Sequence, residues 1–450
     1  MPMRVVVLIC LLLAPSAALA ADGQGATPRQ SGAQAPVANT PGSRQPSPAG
    51  ATQQAAARPQ AGTSQEPAKE SNDDDHHDVT GSFIETGDFP NSIKIPGTTF
   101  SLKFGGYGKV DFIQDFDSIG NQDEFQTKTI PIEGTRESML GGANNIHAKE
   151  SRFYFDVRSP TPIGNFRGYI EIDFYGSGGS SAPHLRHAYG VIGHLLGGQT
   201  WTTFMDISAR PKTVDFEGAD SSIFIRQAML RWEQPFGNGF RWAVAVEDAS
   251  PEITIPDGFD GEVRASMPDI VGRIRYDWGG SHTQFAAMAR QLRYASSTGD
   301  STGAGWGFNW TGSWKVGSAQ RDSFNWQVSY GEGIGRYVRS FTGTDSDAVI
   351  GPDGELQILP VQSYVFGYRH FWTPNLRSGV IFAIARLTNQ SAQPADAIHQ
   401  TRSPRVNLLW SPWHLVDIGG EYMWGERQNA DGSKGDASRL HFAIKFRFPG

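Results

Sequence analysis

Cysteine is almost absent from this 450-residue chain, because its single cysteine, Cys10, lies in an N-terminal apolar run. That run, residues 5–14, precedes small residues that end at Ala20, which predicts a secretory signal peptide over residues 1–20. The mature chain would then hold no cysteine, which excludes disulfides and thiol chemistry. No other apolar run approaches the roughly 18 residues that a membrane-spanning helix needs. The sequence therefore excludes helices as the elements with which this chain crosses a membrane.

Aromatic residues are scarce from residue 22 to residue 72, where Pro, Ala, Gln, Ser and Gly dominate. Such a composition buries too little apolar surface to fold alone, so residues 21–98 are predicted to be a disordered periplasmic segment. A flexible tether is favoured over a contact for the cell wall. The acidic run at residues 73–78 includes two histidines, but it lacks the spacing of a metal site and is interpreted as solvated.

From residue 99 to residue 448, by contrast, short segments alternate polar and apolar residues. In the last of them Leu440, Phe442 and Ile444 share one face, while Arg439 and Lys445 lie on the other. A charged second face on every strand suits a barrel with lipid outside and water inside. The predicted fold class is therefore all-β, a 16-stranded antiparallel transmembrane β-barrel over residues 99–448.

The gaps between these segments alternate between very short and long. Gly279-Gly280 and Pro374-Asn375 are typical of tight hairpin turns, whereas gaps such as 118–146 and 333–360 are long. An even strand number with both termini on the short-turn side is the topology of outer-membrane barrels. Tryptophans near the short turns predict a periplasmic aromatic girdle, and a soluble β-sandwich is the less favoured alternative. These tryptophans are Trp242, Trp278, Trp372, Trp410 and Trp413.

Parity within each strand assigns faces, and basic residues outnumber acidic ones on the predicted lumenal face. The chain as a whole has a formal net charge of -7, so a positive wall would draw anions. Alternatively the arginines pair with wall acids and brace the barrel, as in a predicted network of Arg167, Glu171 and Asp173. Strand six is ambiguous, because Arg226 and Arg231 have opposite parity, which requires a bulge or one residue outside the lumen. The predicted substrate path is lined by Arg152, Arg158, Arg167, Arg241, Arg273, Arg275 and Lys445.

A pore of sixteen strands is wide, so a selective channel needs an element that narrows it. The 204–218 segment, which follows strand five, mixes charged residues with proline and turn residues. It is predicted to fold into the lumen as a constriction loop. The charged members of this loop are Asp206, Arg210, Lys212, Asp215 and Glu217.

Four stretches of the sequence resemble the DcaP-like porins of Gram-negative outer membranes. They are Gly198-Gln-Thr-Trp-Thr-Thr-Phe-Met-Asp206, Asp215-Phe216, Ile225-Arg-Gln227 with Arg231-Trp232, and Tyr368-Arg-His-Phe-Trp372. The resemblance implies a trimeric sixteen-stranded channel for small anions, typically dicarboxylates and aromatic acids. It also implies an outer-membrane location, with lipid and lipopolysaccharide around the barrel.

Two other function classes compete with an anion-preferring porin. A sugar channel would need a row of lumenal aromatics, of which parity supplies Tyr107, Tyr154 and Tyr169. A barrel-based outer-membrane enzyme would need a nucleophile, a base and an orienting group together, but the histidines are scattered over different strands. The sequence predicts no catalytic, cofactor-binding or metal site and no nucleic-acid partner.

Overall fold

The structure is a computed structural model that describes residues 85–176, 180–297, 299–317 and 319–448. The predicted signal peptide, the acidic run and most of the predicted disordered segment lie outside the described residues. Among those that are described, no helix is long and apolar enough to cross a membrane.

Sixteen antiparallel strands close into a barrel, which confirms the predicted fold class. Each strand pairs with the next along the chain, and β16 pairs with β1 from Gly106↔Phe448 to Asp115↔Arg439. The strands are β1 Ser101–Asp115, β2 Arg152–Thr161, β3 Gly164–Asp173, β4 His184–Ile192, β5 Leu195–Trp201, β6 Arg226–Pro235, β7 Phe240–Glu247, β8 Asp269–Trp278, β9 Ser281–Ser296, β10 Gly299–Val316, β11 Asp322–Glu332, β12 Pro360–Phe371, β13 Leu376–Leu387, β14 Ile398–Arg402 with Arg405–Trp413, β15 Val416–Asn429 and β16 Lys434–Phe448.

Smaller elements extend the barrel or lie in its long loops. Strands Ile93–Lys94, Asn144–His147 and Glu262–Val263 join the main sheet, while Ile253–Thr254, Ala348–Ile350 and Leu356–Ile358 form a separate small sheet. Short 3₁₀-helices occupy Thr127–Thr129, Glu137–Leu140, Ile207–Ala209 and Gly335–Tyr337.

A tight glycine turn joins two strands at the short-turn end of the barrel, and the next pair of strands is longer than predicted. Gly279 and Gly280, at φ of 48° and 78°, join β8 to β9 in a turn that needs positive φ at both positions. The sequence predicts the next two strands over 281–294 and 304–316, but both are longer in the structure, because their pairing continues to Ser296↔Gly299. Each strand supplies backbone partners to the other beyond the predicted ends.

The outer face of the barrel is apolar and exposed, the reverse of a soluble sheet. Phe104, Val380, Leu408 and Phe446 are between 48% and 61% exposed. Each alternates with an inward-facing neighbour, as expected where lipid replaces water outside. The five predicted girdle tryptophans are also exposed, at 37% to 68%, near the short turns.

The apolar core lies inside the barrel and comes largely from two segments between strands. Phe204 in the 204–218 segment and Tyr337 in the 333–347 segment are fully buried, with ring centroids 5.9 Å apart. They pack with inward-facing Val271 and Val361 in one buried cluster. The sequence treated 333–347 only as a long loop, so this second packed segment was not predicted.

Candidate functional site

Arg158 and Arg167 lie on the inner face and share one carboxylate. Their guanidinium groups donate to Asp156 at 2.8 and 2.9 Å. The predicted network of Arg167 with Glu171 and Asp173 is therefore wrong. Arg186 takes that role instead, at 2.7 Å from Glu171 and 2.5 Å from Asp173. Arg186 was missed because the register shifts opposite Glu171 and Ile172, which turns this arginine inward against simple parity.

The other predicted path residues are also paired with carboxylates. Arg241 and Arg275 bind Asp277 at 2.9 and 2.8 Å, and Arg273 binds Glu233. Arg152 lies 3.5 Å from Glu171, and Lys445 lies 3.4 Å from Glu150. All seven thus agree with the bracing interpretation, and their positive charge is partly compensated locally.

Both ambiguous arginines of β6 lie inside the barrel. The β5–β6 register runs without a shift, pairing Trp201 with Arg226 and Leu196 with Arg231, so Arg231 shares the inward parity of buried Leu196. Arg226 has the other parity, but its guanidinium lies 5.0 Å from the ring of Trp201, which packs on the interior apolar cluster, and it lines a cavity with that ring. Neither a bulge nor a position outside the lumen applies to these two residues.

The first carboxylate of the 204–218 segment, that of Asp206, is bound to side chains of the barrel wall. Asp206 lies 3.1 Å from Arg275 and 2.9 Å from both His282 and the Thr311 hydroxyl. Burial raises the pKa of Asp206, but the hydrogen bond from His282 and the charge of Arg275 outweigh it and lower the pKa below its usual value. Asp206 is therefore a charged anchor between the segment and strands β8 to β10.

Asp215 is the second anchor and lies in a buried cluster of charges. It lies 3.5 Å from His441, 3.8 Å from Arg405 and 4.0 Å from Arg439, and it accepts the Phe125 N–H at 3.2 Å. Burial alone would raise the pKa of Asp215, but the adjacent His441 and the two guanidinium groups lower it well below its usual range. An ionised Asp215 thus connects the segment to β14 and β16.

The 204–218 segment is held together by a contact between Arg210 and Glu217, and Glu217 also joins it to the 333–347 segment. Glu217 binds Arg339, and Arg210 donates to the Glu217 carbonyl oxygen at 2.5 Å. The Arg210 guanidinium lies 3.8 Å from the centroid of the Phe224 ring. Burial lowers the pKa of Arg210 to about 9.

Lys212 differs from these residues because no carboxylate in the described ranges pairs with it. It lines a cavity of about 460 Å³ at the short-turn end of the barrel, together with Lys315, Arg369 and Arg377. We call these four residues the basic cluster. Burial, followed by the charges of Arg210 and Arg369, lowers the pKa of Lys212. The basic cluster is therefore a concentration of positive charge on the inner side of the barrel.

The basic cluster is poorly neutralised. Arg377 lies 3.7 Å from Asp417, whereas no ion pair within the part of the chain that the structure describes involves Lys315 or Arg369. The Nε of Arg369 is buried without a hydrogen-bond partner there. Parity could have found Arg369 and Arg377, because both lie on inward positions of predicted strands. Their lack of partners depends on folding and was not readable from the sequence.

A profile of the DcaP outer membrane protein family matches residues 86–448. The chain belongs to the DcaP outer membrane protein family. Its barrel is similar to the outer membrane channel DcaP of Acinetobacter baumannii, with 21% identity, a TM-score of 0.69, and coverage of 78% of this chain and 97% of that one. It is also similar to an anion-selective porin from Comamonas acidovorans, with 11% identity, a TM-score of 0.50, and coverage of 78% and 100%. A search of curated protein sequences finds no match.

Membership of the DcaP family confirms the resemblance and places the barrel in the outer membrane. The protein therefore belongs to a family of channel-forming proteins. The roles of its individual residues follow from the contacts of its own side chains. The described residues contain no group of three or more His, Cys, Asp or Glu side chains suited to a metal ion.

A second cavity of this DcaP-family barrel, of about 840 Å³, lies toward the long loops and is lined by aromatic rings. Tyr175 and Phe216 stack at 4.3 Å, and Trp201 and Phe224 lie 4.6 Å apart. The polar lining includes Arg339 beside acidic Asp123 and Glu124. This end of the barrel is therefore mixed in charge, in contrast to the end that holds the basic cluster.

Proposed function

We propose that the protein is a passive outer-membrane porin that prefers small anionic solutes, including carboxylates and dicarboxylates. The observation that carries the proposal is the basic cluster. Its four residues line a cavity that Arg210 and Arg275 also line, and the one carboxylate of that lining, Asp277, is already bound to Arg241 and Arg275. Uncompensated charge in a confined lumen raises the local concentration of anions and repels cations.

The 204–218 segment is the proposed constriction. Its contacts with opposite walls support this role: Asp206 reaches Arg275 on β8, and the Val214 N–H donates to Glu421 on β15. A segment fixed to both sides would force solutes past the basic cluster. The seven paired path residues, Arg152, Arg158, Arg167, Arg241, Arg273, Arg275 and Lys445, would then offer N–H donors along the route while the basic cluster supplies net charge.

Liposome swelling with solutes of matched size tests the proposal. Gluconate should enter faster than glucose, and glucosamine, a cation, should enter slowest, because the three differ mainly in charge. Equal rates for gluconate and glucosamine would contradict anion preference while leaving an open pore. Protein-free liposomes are the control.

A sugar channel stays a second candidate because the structure provides a row of tyrosines. Tyr154 and Tyr169 stack at 5.7 Å, and Tyr169 and Tyr189 lie 5.4 Å apart on the inner face. Such a row suits the flat faces of sugar rings. In the swelling assay, entry of glucose ahead of gluconate would favour this candidate.

A homotrimer surrounded by lipid and lipopolysaccharide is the proposed assembly. Its support is the family resemblance together with small residues on the outer face of β1, β3, β4 and β5, namely Gly108, Gly168, Gly190 and Gly197. A flat surface allows close approach of a second barrel. Channel closure in three equal current steps would support the trimer, and closure in single steps would contradict it.

A further inference from the structure

We propose that the cavity at the basic cluster is a binding site for a phosphate monoester of a small polyol, a site at which such a solute rests on its way through the pore. This inference rests on the proposed anion-preferring function and extends it to one class of solute. Charge, an unpartnered donor and the neutral polar lining each support it.

The charge of the cavity exceeds what one carboxylate neutralises. Lys212, Lys315, Arg369 and Arg377 line it, and Asp277 is shared by Arg241 and Arg275. A phosphate monoester carries a charge of about -1.5 to -2 near neutral pH and three strong acceptor oxygens. An ionised monocarboxylate carries only a single negative charge. The cavity therefore fits a multiply charged oxyanion better than a monocarboxylate.

Arg369 supplies the unpartnered donor. Its Nε is buried and has no acceptor among the residues that the structure describes. A buried guanidinium donor without a partner is costly, and the planar fork of arginine suits the oxygens of a phosphate. Arg369 is also on the inner face of β12, so a solute in the lumen can reach it. Lys212 approaches the same cavity from the 204–218 segment.

The rest of the lining fits hydroxyl groups. Serine hydroxyls and asparagine amides line the cavity beside the apolar residues Pro211, Ile381 and Leu409. Its two aromatic residues, Trp278 and Tyr368, are 37% and 43% exposed and lie on outward positions of β8 and β12, so they present no ring to the lumen. The neutral polar residues are Ser208, Ser281, Ser313, Asn325, Ser378 and Asn407. The volume of about 460 Å³ falls within the range of small-ligand pockets and exceeds what a phosphate ion alone requires. The organic part of the ligand is therefore a polyol rather than an aromatic ring.

The test is block of the chloride current of the full-length protein in a planar bilayer, with probes added on the short-turn side. Glucose 6-phosphate is the main probe, and succinate, inorganic phosphate and glucose are the comparators. We expect glucose 6-phosphate to halve the current at a concentration about tenfold lower than succinate or inorganic phosphate does, with no block by glucose. One charge-assisted contact accounts for a factor of this size.

Two variants assign the block to the cavity. R369Q and K212M should each raise the half-blocking concentration of glucose 6-phosphate about tenfold, because each removes one charged donor. R293Q is the matched control, since Arg293 pairs with Asp300 at the long-loop end of β9 and β10. Block should be unchanged in R293Q.

Several results would overturn the inference. Succinate that blocks as well as glucose 6-phosphate would reduce the site to one for any dianion. Inorganic phosphate that blocks as well would remove the polyol part, and unchanged block in R369Q and K212M would place the site elsewhere. A wild-type channel that prefers chloride but shows no block contradicts this inference alone, whereas a channel without anion preference contradicts the proposed function as well.

Discussion

Reversing two charges of the basic cluster, K212E with R369E, is expected to remove the anion preference of the channel and to turn it toward cations. Each substitution changes the local charge by two, and unit charges about 4 Å apart interact by about 1 kcal/mol in water and about 4 kcal/mol near a protein surface. A shift of about 1.4 kcal/mol changes a permeability ratio about tenfold. We therefore expect the anion-to-cation permeability ratio to fall by about tenfold or more.

The measurement is the reversal potential of the variant in a KCl gradient, compared with a matched double variant, R264E with R293E. Arg264 and Arg293 pair with Glu262 and Asp300 in exposed positions away from the lumen. The control carries the same change in total charge. If it shifts the reversal potential as much as K212E with R369E does, the selectivity does not come from the basic cluster.

Removing the charge of Asp215 is expected to produce the largest loss of stability. Arg405 and Arg439 are fully buried, and D215N leaves both with one carboxylate fewer. Removing one partner of a buried charge network costs about 3–5 kcal/mol in the free energy of unfolding. Because Asp215 also anchors the 204–218 segment, the single-channel conductance of D215N should rise as the segment loosens.

Urea unfolding in detergent measures the stability, and bilayer recording measures the conductance. D257N is the matched control, because Asp257 is exposed in the loop between β7 and β8. Equal unfolding midpoints for D215N and D257N would show that the buried charge network contributes little to the free energy of unfolding.

The effect of pH on this anchor follows from the lowered pKa of Asp215. A carboxyl group whose pKa is lower in the folded state than in the unfolded state contributes stability above its unfolded pKa, near 4, and loses it as the pH falls toward the folded value. Asp215 is therefore ionised in recordings at neutral pH.

Much of the barrel could be predicted from the sequence, because its signals are local. Alternation with a period of two fixed the faces of the strands, and Gly279-Gly280 marked a turn that needs positive φ. The Ser296↔Gly299 pairing was missed because it lies beyond the clear alternation. The inward turn of Arg186 was missed because a register shift leaves no reliable mark in one strand's sequence.

Less of the candidate site could be predicted, because pairing is a property of the folded chain. Parity placed Arg167 and Arg275 on the inner face correctly, but their partners Asp156 and Asp206 lie 11 and 69 residues away along the chain. The sequence singled out Arg369 only as part of the 368–372 stretch that resembles the DcaP-like porins, and it gave no sign that this arginine would be unpaired. The net charge along a pore therefore has to be derived from the ion pairs of the folded chain, because a paired arginine adds little to the electric field that a solute meets.

The reversal potential of the purified wild-type protein in a planar lipid bilayer under a KCl gradient tests the proposed anion preference most directly. We expect a potential with the sign of chloride preference, set by the basic cluster beside the 204–218 segment. A potential with the sign of potassium preference would contradict it and would assign the selectivity to the acidic residues of the loops.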